Sequence, residues 1–164
     1  MIMDEKYHPA EICMDGHVKS AVADVERDDR KFCKLCGEPT IEKCPKCGHQ
    51  IDGLLRTDNS PTILYVPPKY CAFCGSAYPW MKKILEKASD MIDETNLSSQ
   101  EKNQMKASMD AIARNAPGAQ ADALMIKECI KKIGGQTGSM LKNIAVEIAS
   151  EKIKDILTVE YHWF

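Results

Sequence analysis

The 164-residue sequence has no excess of basic residues, few aromatics and no long apolar run. Lys and Arg number 22 against 24 Asp and Glu, and the net charge of -2 gives the chain no general attraction for nucleic acid or an anionic membrane. Residues 1–78 carry 10 cations and 12 anions, and residues 79–164 carry 12 of each, so neither half is basic on its own. No window approaches the roughly 18 apolar residues of a membrane span, and Met1-Ile2-Met3-Asp4-Glu5 has neither the basic nor the apolar region of an export signal. A soluble cytoplasmic protein without a membrane partner is expected. Aromatics are 6% of the chain, too few to interleave with Lys127, Lys131 and Lys132 as a stacking surface for single strands. Those lysines read instead as cations near a helix C-terminus. Catalytic signatures are missing as well. There is no H-E-x-x-H and no H-x-E with P-C-x-x-C, and Gly134-Gly135-Gln136-Thr137-Gly138-Ser139 lacks the G-K-[ST] of a phosphate loop. The chain is therefore expected not to be an enzyme.

What the sequence has is cysteine, unevenly placed. Seven of the eight, at 13, 33, 36, 44, 47, 71 and 74, fall in the first 74 residues, leaving Cys129 alone beside an apolar stripe as a packed core thiol. The expected organisation is two domains, residues 1–78 and residues 79–164. In the second, apolar residues recur at helical spacing. Trp80, Ile84, Leu85, Ala88, Met91 and Ile92 make one stripe. Ser98 and Glu101 have the spacing of a capping box before Met105, Met109 and Ile112. Ala123, Ile126, Ile130 and Ile133 follow, and Leu141, Ile144, Ala145, Ile148, Ile153, Ile156 and Leu157 read as a last helix capped by Thr137 or Ser139. About four helices in a small bundle are expected.

The first region has Gly or Pro every few residues and no long helical stripe. Thr62–Val66 has the composition of a strand, residues 20–30 fit a short helix or a loop, and short hairpins are expected elsewhere. Burial alone cannot offset the ordering of about 75 such residues at roughly 1–2 kcal/mol each, so a cross-link is required. Four ligand pairs supply one: Cys13-x3-His17, Cys33-x2-Cys36, Cys44-x2-Cys47 and Cys71-x2-Cys74. Gly37, Gly48 and Gly75 directly follow three of them, where a tight turn favours positive φ. Seven Cys and one His fill two tetrahedral zinc sites with no position left for water, the mark of structural metal. Disulfides, a redox dithiol and iron–sulfur ligation are the competing readings.

The partition of pairs between ions is less constrained. Sequential, cross-braced and nested arrangements differ by only about 0.8 kcal/mol in loop entropy. Ribbon geometry favours Cys13, His17, Cys33 and Cys36 on one ion and Cys44, Cys47, Cys71 and Cys74 on the other, with the two alternatives left open. His49 is the substitute should His17 not serve; His8 and His162 have no partner at ligand spacing.

The segments Ile12-Cys13-Met14-Asp15-Gly16-His17, Phe32-Cys33-Lys34-Leu35-Cys36-Gly37, Cys44-Pro45-Lys46-Cys47 and Tyr70-Cys71-Ala72-Phe73-Cys74-Gly75 resemble double zinc ribbon proteins. With the Tyr78-Pro79-Trp80 exit into a helical region, the chain resembles an uncharacterised bacterial family known only as a domain of unknown function. The resemblance implies a bacterial cytoplasmic protein with two tandem structural zinc ions, and it brings no activity with it. A ribbon is specific for metal and unspecific for role. The fold class expected is a small metal-bound α+β protein, with N-terminal tandem ribbons followed by an all-α segment. The function expected is a non-enzymatic interaction or adaptor module that binds an unidentified protein partner. A homo-oligomer through the helical region is a further expectation, and a nucleic-acid or ribosome-associated factor is the alternative. The aromatic tail Tyr161-His162-Trp163-Phe164 reads as a packing element or an anchor to another chain.

Overall fold

The computed structural model describes residues 6–57 and 64–159. The chain divides into two compact units, Met1–Lys83 and Ile84–Phe164. In the first, five short strands form two antiparallel sheets: β1 (Tyr7–Pro9) pairs with β5 (Asp52–Leu55), and β2 (Glu11–Cys13) lies between β3 (Val18–Ser20) and β4 (Thr40–Ile41). Ile12 faces Val18 on one side and Ile41 on the other, and Cys13 faces Thr40. Among the described residues of this unit few side chains are completely buried, namely Ala10, Ile12, Cys13 and Ile51. Gly53 shows why β5 tolerates a glycine: a Cβ there would lie 2.1 Å from the Ala21 carbonyl oxygen. Residues 21–30 are a loop with one turn, in which the Val25 and Glu26 amides donate to the Val22 carbonyl. Of the strand expected at Thr62–Val66, Thr62 and Ile63 lie outside the described residues, and Leu64, Tyr65 and Val66 join no sheet.

The helices are α1 (Pro79–Asp93), α2 (Ser99–Ala113), α3 (Ala119–Ile133), α4 (Gly135–Ile148) and α5 (Glu151–Thr158). The unit boundary falls inside α1. In the second unit α3 packs against α2, α4 and α5, and α4 against α5. The stripes read from the sequence supply much of the core: Ile92, Met105, Ile112, Ala123, Ile126, Leu141 and Ala145 are fully buried, while Ile84, Leu85, Ile130, Ile133 and Ile156 are half-buried. Cys129 is buried with them, and burial pushes its thiol pKa up. The capping box forms, with the Glu101 amide donating to Ser98 Oγ and the Ser98 amide donating to Glu101 Oε2. One difference concerns the last stripe, which belongs to two helices. Ala149 and Ser150 adopt extended conformations with ψ of 155° and 161°, breaking the ladder between Ile148 and Glu151, while Ile153 and Leu157 remain buried. The N-cap of α4 is Gly134 rather than Thr137 or Ser139. The tail at residues 161–164 lies outside the described residues.

Candidate metal centres

Three of the four ligand pairs sit on the same backbone device. The amides of Cys33, Cys44 and Cys71 each donate at 2.8 Å to a carbonyl five residues on, at Glu38, His49 and Ser76. The amides of Gly37, Gly48 and Gly75 fold back onto the carbonyl of the first cysteine at 2.8–2.9 Å. Those glycines have φ of 77°, 77° and 72°, a conformation L side chains rarely adopt. Isolated antiparallel bridges close each turn, at Phe32 with Pro39, Lys43 with Gln50 and Tyr70 with Ala77. The pattern is a hairpin knuckle that turns two thiols the same way. The fourth pair is built differently. Cys13 ends β2, its amide donates to the His17 carbonyl at 2.9 Å, and Gly16 takes φ of 90° against the Trp80 side chain.

These turns bring the eight predicted residues together as two quartets, Cys13, His17, Cys33 and Cys36, and Cys44, Cys47, Cys71 and Cys74; within each, the ligand atoms lie within 4.8 Å of one another. The spacing tests the fit of a metal. Zn–S bonds of about 2.3 Å at a tetrahedral angle separate two sulfurs by about 3.8 Å, and a Zn–N bond of about 2.05 Å gives a sulfur–nitrogen edge of about 3.6 Å. In the first quartet Cys13 Sγ lies 3.7 Å from Cys36 Sγ, and His17 Nδ1 lies 3.4 Å from Cys13 Sγ and 3.6 Å from Cys33 Sγ. In the second, Cys44 and Cys74 sulfurs are 3.8 Å apart and those of Cys47 and Cys71 are 3.6 Å apart. No disulfide joins any two of the eight cysteines. The donor set and its spacing therefore suit one tetrahedral cation in each quartet, with Nδ1 as the His17 donor.

The electrostatics of the thiols point the same way. The Leu35 amide, whose N–H donates to Cys33 Sγ at 3.4 Å, lowers the Cys33 pKa to about 6, and the Ser76 amide brings Cys74 to about 6. Cys36 and Cys47 move the opposite way. Cys36 is favoured as a thiolate by the Glu38 amide, yet burial and the neighbouring Cys33 and Cys13 push it up to about 11. Cys47 is likewise pushed up to about 12, against the His49 amide, by burial and by Cys71, Cys74 and Cys44. Crowded thiols that accept backbone N–H groups suit a bound cation.

His49 lies outside both quartets. Its Nδ1 is 3.3 Å from Cys47 Sγ, and its ring stacks on Phe73 at 4.0 Å and 8°. Aromatic packing supports the second quartet further: Tyr78 stacks on Trp80 at 4.8 Å, and Trp80 Nε1 donates to the Pro68 carbonyl at 2.9 Å. Two features had no local signal in the sequence. Lys83 Nζ lies 2.6 Å from Asp15 Oδ1 and 3.7 Å from Glu38 Oε2, tying the first turn of α1 to both halves of the first quartet's framework. His8 Nδ1 meets Asp24 at 2.8 Å, and Arg56 meets the other Asp24 oxygen at 2.8 Å, joining residues far apart in the chain.

Paired cysteine knuckles with four-ligand quartets define a class of small Cys/His metal-binding modules, here followed by helices. Within that class the chain belongs to the bacterial family described as "uncharacterized protein conserved in bacteria" (DUF2321), whose profile matches residues 6–157. No curated protein and no solved structure matches the chain. Among the described residues no helix is long and apolar enough to cross a membrane.

Proposed function

We propose that each quartet holds one zinc ion in a closed structural site, and that the front unit serves as a non-enzymatic recognition platform in the reducing cytoplasm. The observation that carries the zinc reading is the match of ligand separations to tetrahedral edges in both quartets. A quartet of three cysteines and one histidine beside an all-cysteine quartet favours zinc over an iron–sulfur cluster, which takes cysteine throughout in its commonest form. Four protein ligands leave no position for a reacting water, so the metal fixes geometry and performs no reaction.

The adaptor role rests on the knuckle tips. Leu35, between Cys33 and Cys36, is 70% exposed, and Phe73, between Cys71 and Cys74, is 52% exposed. Apolar side chains held outward on metal-braced turns supply the rigid, low-entropy contacts that protein recognition uses. Exposed Leu124 and Met140 in the helical unit offer a second face for docking or self-association.

Metal analysis of full-length protein purified under reducing conditions is expected to give two zinc ions per chain. One or none would break the ligand scheme. For the adaptor role, Leu35→Glu should abolish capture of the protein partner from nuclease-treated lysate while leaving zinc content unchanged. Capture that depends on intact nucleic acid would overturn that role.

A further inference from the structure

A pocket of about 120 Å³ opens beside the second quartet, and its walls include four aromatic rings, Tyr65, Tyr70, Phe73 and Tyr78. In a chain only 6% aromatic this is a concentrated set. Two polar side chains line the same pocket. Asp52, on β5, has a buried Oδ1, and Gln50 has a buried Nε2 with no hydrogen-bond partner among the described residues. The Asp52 charge is felt by the rings, since together with burial it pushes the Tyr65 hydroxyl up to about 12. The Tyr65 hydroxyl itself donates to the Asp52 backbone carbonyl at 2.5 Å, holding the Leu64–Pro68 stretch to β5. Phe73 is fixed by its stack on His49, and Val66 at the rim is exposed, so the pocket is both braced and accessible.

Aromatic faces attract cations through their quadrupoles, and rings gathered around a carboxylate favour a cation more strongly. The second quartet supplies Phe73 from its own knuckle, and four thiolates around a divalent ion carry a net charge of -2. That last contribution rests on the zinc reading; the rings and Asp52 do not. Size narrows the choice, because a cavity of about 150 Å³ admits benzene, and one somewhat smaller fits the four heavy atoms of a trimethylammonium group.

We propose that this pocket binds the methylated ammonium group of a small compound, glycine betaine being a simple probe. Tyr65, Tyr70, Phe73 and Tyr78 line the space for the methylated nitrogen, and Asp52 complements its charge.

Calorimetric titration of the zinc-loaded full chain with glycine betaine and with 3,3-dimethylbutyrate, in which an uncharged tert-butyl group replaces the trimethylammonium group, separates recognition of the cationic group from shape. Glycine betaine should bind at least tenfold more tightly. Asp52→Asn should weaken glycine betaine about tenfold and leave dimethylbutyrate unchanged or tighter, and Tyr65→Leu provides a second variant should Asp52→Asn fold poorly. Equal affinity for the two compounds, or no heat with either, would overturn the proposal, as would a preference retained in a folded variant. Zinc measured on each sample keeps a failure of the metal reading distinct from a failure of the pocket.

Discussion

Among the described residues, Ala10, Ile12 and Ile51 are what the front unit buries completely besides a cysteine, whereas the helical unit buries Ile92, Met105, Ile112, Ala123, Ile126, Leu141 and Ala145 to the same degree. The front strands are two to four residues long, too short to hold a sheet by pairing alone. The helices run 8 to 15 residues and stack apolar stripes. On the zinc reading proposed above, order in one unit rests on ligand atoms converging from distant turns, and in the other on surface removed from water. The two should consequently fail under different insults.

The largest expected effect separates them most sharply. Cys44→Ser removes one ligand of the second quartet, and structural zinc is worth about 10–16 kcal/mol in finger peptides, more than most domains have in total stability. The tertiary NMR signals of residues 6–78 should collapse while the helical circular dichroism signal largely survives. Retained front-unit structure would erase the contrast.

The converse change, Ile126→Ala, cuts into the helical core and should cost about 2–5 kcal/mol in thermal or denaturant unfolding, with zinc content unaltered. Loss of zinc in that variant would mean that the two kinds of stabilisation are not separable. Smaller still, Ser98→Ala removes half of the α2 capping box and should lower helical stability by about 1 kcal/mol.

The least effect is a pH dependence confined to the helical unit. A hydrogen bond from Lys132, helped by the Ser98 amide, lowers the Glu101 pKa to about 2. Because the folded value lies below the ordinary carboxylate value of 4.5, this contribution is present above pH 4.5 and is lost as pH falls toward 2. Lys132→Met should flatten that slope in denaturant titrations followed by helical signal. An unchanged slope would remove Glu101 from the account.

Much of this division is legible in the sequence, because both kinds of order leave local traces. Ligand pairs with a following glycine announce knuckles, and stripes at helical spacing announce buried faces. The Ser98–Glu101 pair announces its cap through its spacing of three. The break between α4 and α5 leaves only a faint trace: Ala149-Ser150 contains neither Gly nor Pro, and the one sign is the five-residue step from Ile148 to Ile153, which is out of phase with a continuous helical stripe. The β3–β2–β4 pairing, the Lys83 tie to Asp15 and Glu38, and the His8–Asp24–Arg56 cluster join residues remote in the chain, so only the folded backbone brings them together. His49 has the residue type of a ligand but stacks on Phe73 outside the quartet, a distinction that spacing alone could not draw.

X-ray absorption at the zinc edge on the intact, reduced protein tests the central claim most directly. Seven sulfurs and one nitrogen shared between two ions predict a first shell of mostly sulfur at about 2.3 Å with a minor nitrogen contribution near 2.0–2.1 Å. A shell containing water oxygen, or clearly fewer sulfurs per zinc than the quartets provide, would contradict two closed structural sites.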